Sequence, residues 1–162
     1  MLVLRAMQQA EYSAYCQYFV DDYSQEIVKN YGESLELAIE LAKAALHRSF
    51  AHGLESSEHT LLCIDADVDG KLMLVGYLWH SVNFNERSTF IYDFFIFSEY
   101  RGLGFGKQAI SALENQLQAV GVNQIKLRVA YHNERALKLY KDVGFVITGI
   151  NLSKKIGVQS AS

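Results

Sequence analysis

A mixed α/β fold of about seven strands and about four helices, in the order β-α-α-β-β-β-α-β-α-β-β, is predicted by three observations. Apolar residues recur at helical spacing in four separate segments. Short alternating or continuous apolar runs lie before, between and after them. One such run, Phe90 to Phe97, is joined directly to a helical pattern by the glycine-rich turn Arg101-Gly102-Leu103-Gly104-Phe105-Gly106-Lys107. The 162 residues suit one domain, taken as 1–157 with a short tail at 158–162, and are enough to bury a core.

Leu2-Val3-Leu4 reads as a first short strand. Tyr12, Tyr15, Cys16, Phe19, Val20, Tyr23 and Ile27 then recur at three- and four-residue steps, which predicts an amphipathic helix. Gly32 interrupts it. A second helix carries Leu35, Ala38, Ile39, Ala42, Ala45, Leu46 and Phe50 on its apolar side and ends at Gly53. Thr60 to Ile64 and Leu72 to Trp79 read as strands around the turn-forming Asp65-Ala66-Asp67-Val68-Asp69-Gly70. That acidic turn lacks the length and terminal Glu of a calcium loop, so a hairpin is expected. After the glycines, Ile110, Leu113, Leu117 and Val120 mark a third helix, closed by Gly121. Ile125, Leu127 and Val129 alternate as a strand. Asn133 caps a fourth helix running to about Val143. Gly144 stops it, and 145–147 and 150–156 supply the last strands expected.

Half the residues are hydrophobic and a fifth charged, which excludes a disordered chain, and the longest apolar runs are too short to span a membrane. No basic, apolar leader opens the sequence, so a cytoplasmic protein is expected. Cys16 and Cys63 form neither a metal spacing nor a disulfide framework; no metal site is expected. The net charge of -3 hides an asymmetry: residues 101–162 carry nine Lys/Arg against three Asp/Glu, and residues 54–100 carry two against eight. The basic third suits a polyanionic ligand and the acidic remainder a cationic partner. No base-stacking motif accompanies the basic third, so nucleic acid is not the expected partner.

A strand that delivers glycines to a helix N-terminus is a way of holding phosphate, because the first helical N–H groups have no intrahelical partner. Spacing decides which phosphate loop this is. A Walker A loop needs G-x-x-x-x-G-K-[ST], and this chain has Arg101 and Gln108 at the outer positions. A dinucleotide fingerprint needs G-x-G-x-x-G; here the glycines stand as G-x-G-x-G. Arg101-x-x-Gly104-x-Gly106 does match [RQ]-x-x-G-x-[GA], and a second segment, Asn133 to Phe145, reads N-x-x-A-x-x-x-Y followed by G-F. On these two motifs and its element order, the chain resembles the GNAT acyltransferase superfamily over about residues 1–156.

The resemblance implies a centrally splayed sheet and acetyl-CoA as cosubstrate, with the pyrophosphate on the amides of Gly102, Leu103, Gly104, Phe105, Gly106 and Lys107. Arg101 and Lys107 add positive charge for phosphate. It implies further that pantetheine pairs with the backbone of Phe94, Phe95 and Ile96, and that the Asn133–Ala136 helix start also contacts CoA. Dimers are common among relatives, so the resemblance admits a homodimer.

Acyl transfer to an amine needs a base, an oxyanion donor and an acid for the departing thiolate. Tyr140 has the right basicity for the acid, with an ordinary pKa of about 10. The backbone N–H of Ile96 is the expected oxyanion donor. Asp93, the acidic residue of the 90–97 run, either binds a cationic amine or takes its proton. Its surroundings are locally similar to polyamine acetyltransferases, which carry Glu where this chain has Tyr92; the identity of the base therefore stays open, with His80 and His132 as other acceptors. Direct transfer in a ternary complex is expected, the alternative being a non-catalytic acyl-CoA-binding or sensing module.

Overall fold

The computed structural model describes residues 1–55 and 58–157; the expected tail at 158–162 lies outside the described residues. Five strands form one sheet in the order β1-β2-β3-β4-β5: β1 (Leu2–Ala6), β2 (Thr60–Val68), β3 (Lys71–Asn83), β4 (Ser88–Ile96) and β5 (Gln124–Leu127). Neighbours run antiparallel except β4 and β5, which are parallel. Four helices accompany them: α1 (Gln9–Tyr31), α2 (Leu35–Ser49), α3 (Phe105–Ala119) and α4 (Glu134–Asp142).

Side-chain alternation along the strands divides the core into two. Leu62, Ile64 and Ala66 of β2, with Val75 and Leu78 of β3, face α3 and meet Phe105, Ala109, Ile110, Leu113 and Leu117. Leu61 and Cys63, with Tyr77 and Trp79, face the other way and meet Tyr15 and Phe19 of α1 and Ala42 and Leu46 of α2. Arg5 of β1 ties α1 to this second face through Glu11 (2.8 and 2.9 Å) and also bonds Asp65.

The helix boundaries follow local chemistry. Gly32 takes the left-handed conformation (φ 64°) and donates to Val28, closing α1. The Ser34 hydroxyl accepts from the Leu37 amide (3.2 Å) and opens α2. Between β2 and β3 the turn is only Asp69-Gly70, both at positive φ, the two-residue connection that suits strand twist. The expected turn is therefore shorter, and its strands longer, than the sequence pattern indicates. Leu35, expected on the apolar side of α2, is exposed; the buried stripe is Ala38, Ala42 and Leu46.

The expected seven strands are five among the described residues. Segments 145–147 and 150–156 have strand-like composition but enter no ladder. A strand exists through a neighbour that takes its hydrogen bonds and covers its apolar face, and among the described residues these segments pair with none. Val129 likewise falls beyond the end of β5.

Candidate active site

A single 3-10 turn, Ser98–Tyr100, carries the chain from β4 to Arg101. Gly102 (φ 78°) and Gly104 (φ 85°) then adopt left-handed backbone that L side chains resist. Gly104 is the N-cap of α3 and offers no side chain, and the first turn contains no acidic residue. The first helical bond runs from the Gln108 amide to the Gly104 carbonyl (3.2 Å), so the amides of Phe105, Gly106 and Lys107 stand ahead of the ladder. Gly106 serves a different purpose: a Cβ there would lie 3.0 Å from Leu139 Cδ2, so glycine lets α3 and α4 approach without a shift of Leu139. The Phe105 side chain is buried and anchors the loop, whereas Leu103 is exposed.

The cations of this loop are already engaged. Arg101 Nε donates to the Ile96 carbonyl (2.7 Å), and its guanidinium lies 4.8 Å above the Phe95 ring. Its pKa is lowered by burial and next by Arg135, a residue of α4 that the sequence reading passed over. Two guanidinium groups close enough to repel favour an anion between them. Lys107, expected on phosphate, is exposed and 3.8 Å from Asp142, which also takes a hydrogen bond from Lys138 (2.9 Å).

Beside this turn the sheet parts. The β4–β5 ladder ends at the pair Ile91–Leu127, while β4 continues to Ile96. On β4's other side the Phe97 amide donates to the Val75 carbonyl (2.8 Å), and a Cβ on Gly76 would fall 2.1 Å from the Phe95 oxygen. Phe95 and Phe97 thus direct their backbone groups to β3. Alternation turns the backbone of Phe94 and Ile96 toward the gap. Of the three consecutive residues expected to offer backbone groups there, the outer two turn theirs toward the gap and Phe95 turns its own toward β3.

Asp93 lies at the head of this segment with its carboxyl group enclosed. Its two oxygens accept hydrogen bonds from Tyr15 Oη (2.9 Å) and Tyr18 Oη (3.1 Å). Burial pushes the carboxyl up to about 7; the two phenols oppose that by favouring the charged form, and Asp22 and Glu26 reinforce it. Both phenols are themselves held well above the ordinary tyrosine value by burial and then by Asp93, so they remain donors.

Tyr140 approaches the same gap from α4. It is buried, its ring centroid 6.4 Å from that of Phe94 and 5.4 Å from that of Phe145. Burial, then Asp93, then Glu26 raise its pKa, which keeps the phenol protonated. Asn133 caps α4 as expected, its Oδ1 accepting from the Ala136 amide (3.2 Å). His80 stands elsewhere: its buried ring donates through Nδ1 to Thr89 Oγ1 (2.8 Å), whose own proton goes to the Ser81 carbonyl (2.9 Å). Burial lowers its pKa to about 4 and keeps it neutral. His132 is exposed in the loop before α4.

Four site residues escaped the sequence reading: Tyr15, Tyr18, Asp22 and Glu26. Their steps of three, four and four residues place them on one stripe of α1. Glu26 has a pKa raised by burial and then by Asp22, with Arg128 and His132 opposing; Asp22 is raised by burial and lowered by Arg101. The only advance signal was carboxylates at helical spacing beside an apolar stripe.

A β4–β5 ladder that stops before β4 does, with free amides nearby, fits a long, thin ligand that ends in phosphate, and the Asp93 carboxyl, near enough to raise the Tyr140 pKa, fits group transfer at the other end. That geometry is an acyltransferase's, and independent comparison agrees. A family model described as acetyltransferase (GNAT) family matches residues 38–145. An uncharacterised N-acetyltransferase of Bacillus subtilis, YycN, is 33% identical over 157 residues, covering 96% of this chain and 99% of its own. The crystal structure of YycN superposes with a TM-score of 0.87 over the same shares of the two chains. A spermidine N-acetyltransferase of Vibrio cholerae, solved with CoA and spermine, shares the fold at 23% identity (TM-score 0.57; 91% of this chain, 82% of that one). This chain belongs to the acetyltransferase (GNAT) family, the acetyl-CoA-dependent N-acetyltransferases.

Proposed function

We propose that the protein moves an acetyl group from acetyl-CoA to a primary amine on a cationic acceptor, by direct transfer in a ternary complex in the cytoplasm. The observation that carries this reading is the Asp93 carboxyl, which two tyrosines hold on the strand whose Phe94 and Ile96 backbone faces the gap. Bound acetyl-CoA supplies the acetyl group as a thioester. The amides of Gly102 to Lys107, with Arg101 and Arg135 beside them, hold its phosphates, and Asn133 and Ala136 border the same ligand.

Asp93 takes the proton of the incoming ammonium, leaving a neutral amine to form the C–N bond. Its raised pKa suits a base working near neutral pH. The Ile96 amide donates to the acyl oxygen. Tyr140 gives its proton to the sulfur as the C–S bond breaks, and the second proton, which the nitrogen sheds as the amide forms, returns through water to the Tyr140 phenolate. Asp22 and Glu26 extend the negative charge outward from Asp93 and draw a cationic acceptor in.

Thiol release from acetyl-CoA over a panel of polyamines, amino acids, aminoglycosides and peptide N-termini tests the reading. Turnover with at least one cationic amine is expected, and Asp93→Asn lowers it on the order of a hundredfold. CoA binding without turnover across the whole panel would return the protein to the non-catalytic alternative. A stable acetylated enzyme in mass spectrometry would remove direct transfer.

A further inference from the structure

Arg101 belongs by sequence to the glycine-rich loop, yet its side chain serves β4. The 3-10 turn Ser98–Tyr100 folds the chain back so that residue 101 lies against residues 95 and 96. There Nε donates to the Ile96 carbonyl (2.7 Å), and the guanidinium carbon stands 4.8 Å from the centre of the Phe95 ring. From the β3 side the Phe97 amide donates to the Val75 carbonyl (2.8 Å). The peptide unit joining Ile96 to Phe97 is thus held at both polar ends, its oxygen by Arg101 and its N–H by Val75. Peptide units are planar and leave two soft dihedrals per residue, so fixing this one restricts the Ile96 amide next to it.

A second line of contact runs from the same guanidinium toward the base. The Phe95 ring lies 4.5 Å from the ring of Tyr18, and the Tyr18 hydroxyl donates to Asp93 Oδ1 (3.1 Å). Arg101 is near enough to Asp22 and Tyr18 for both to raise its pKa against the lowering by burial. Arg101, Phe95, Tyr18 and Asp93 therefore form one unbroken series of contacts from the loop to the enclosed carboxyl. The planar fork of arginine suits this place, because one edge bonds the carbonyl while a face rests on the ring. A phosphate asks only for positive charge at this point, which a lysine could supply.

We propose that Arg101 is a positioning residue for the transfer step: it holds the Ile96 amide toward the acyl oxygen and, through Phe95 and Tyr18, the Asp93 carboxyl toward the amine. The inference rests on the acyl-transfer reading above and adds a link between the loop and the reacting groups. Stabilisation by a preorganised amide depends on where that amide points, and a displacement of about 1 Å can cost on the order of a hundredfold in rate. Loss of the fork should therefore show in turnover, not in affinity for the donor.

Arg101→Lys keeps the charge and removes the fork. Steady-state kinetics with acetyl-CoA and with S-acetyl-pantetheine, a donor that carries no phosphate, test the proposal. With acetyl-CoA, kcat should fall about thirtyfold while KM stays within about twofold, and kcat/KM for S-acetyl-pantetheine should fall by the same factor as that for acetyl-CoA. Arg101→Met, which lacks the charge as well, should add a rise in KM for acetyl-CoA alone. A carboxyl-carbon NMR titration of Asp93 gives a readout independent of turnover. Asp93 faces Tyr15, Tyr18, Asp22 and Glu26 of α1 and Tyr140 of α4. With the charge kept and the Tyr18 bond loosened, Arg101→Lys should raise the Asp93 midpoint by roughly half a pH unit. If the natural chain acetylates no amine, the acyl-transfer reading falls and this midpoint decides the positioning alone. A loss that disappears with the phosphate-free donor makes Arg101 a phosphate ligand only and overturns the inference. So does a kcat within about twofold of the natural chain's, or an Asp93 midpoint that stays in place.

Discussion

Toward α3 the sheet rests on aliphatic side chains such as Ile64, Val75, Leu78, Ile110 and Leu113; toward α1 and α2 it rests on rings, among them Tyr15, Phe19, Phe50, Tyr77 and Trp79. Both faces exclude water. The aromatic one is the richer in hydroxyl groups, and two of these, on Tyr15 and Tyr18, close on Asp93. An aliphatic core has no group that could satisfy a buried carboxylate, so it can fix the position of α3 but cannot host the base. Rings with a polar tip do both jobs in one layer. The two faces therefore divide scaffold from base, and substitutions on each should fail differently.

The largest effect is expected in the scaffold. Leu113 is completely buried on the inner face of α3, and Leu113→Ala removes three carbons from that site. A loss of about 3 kcal/mol in denaturant unfolding is expected, with kcat per folded molecule unchanged. A fall in kcat at intact stability would erase the division. Next in size is Tyr140→Phe, which keeps the ring against Phe94 and Phe145 and deletes only the proton donor. Turnover should drop on the order of a hundredfold, equivalent to about 2.7 kcal/mol, with CoA affinity and stability nearly constant. Unchanged turnover would remove Tyr140 from the mechanism.

The aromatic face should also be visible in pH dependence. With the Asp93 pKa raised to about 7 from the ordinary 3.8, the folded protein holds a proton there that the unfolded chain has released. The stability this contributes is fully present below the unfolded value and is lost as pH rises through about 7. Activity runs the opposite way, rising with pH through the same region as the base ionises. Asp93→Asn should flatten the stability curve there while abolishing the activity limb. Tyr15→Phe removes one hydrogen bond to the charged form, worth about 1.5 kcal/mol, and should move the limb roughly one pH unit higher, costing about fivefold in activity at neutral pH. A limb that stays in place would show that Tyr15 only packs.

Local chemistry was legible in the sequence and distant pairing was not. The glycine turn, the α3 pattern and the Asn133 cap are each written within about one or two helical turns, and each is found in place. The link from Asp93 to Tyr15 and Tyr18 spans 78 and 75 residues. Alternation along a strand puts Asp93 and Phe95 on one face, but does not say which ring of which helix lies opposite. The final strands were misread for a related reason: 145–156 has the composition of a strand, but pairing depends on a neighbour outside the segment. The direction of the Phe95 backbone was not legible either, because it depends on register with β3, which side-chain pattern does not encode.

The smallest effect sharpens the comparison within the aromatic face itself. α1 and α2 both cover that face, but the stripe of Tyr15, Tyr18, Asp22 and Glu26 belongs to α1 alone, whereas α2 contributes the small and aliphatic Ala42 and Leu46. If chemistry follows polar tips and not position in the layer, weakening α2 should cost stability and nothing else. Ser34→Ala does so cleanly, since it deletes the hydroxyl that accepts from the Leu37 amide at the exposed start of α2. A loss of about 1 kcal/mol is expected in denaturant titration, with the midpoint of the pH–activity limb unmoved. Were that limb to shift, α2 would be coupled to Asp93 through the packing of Phe50, Trp79 and Phe19, and the chemical half of the molecule would extend across the whole aromatic layer.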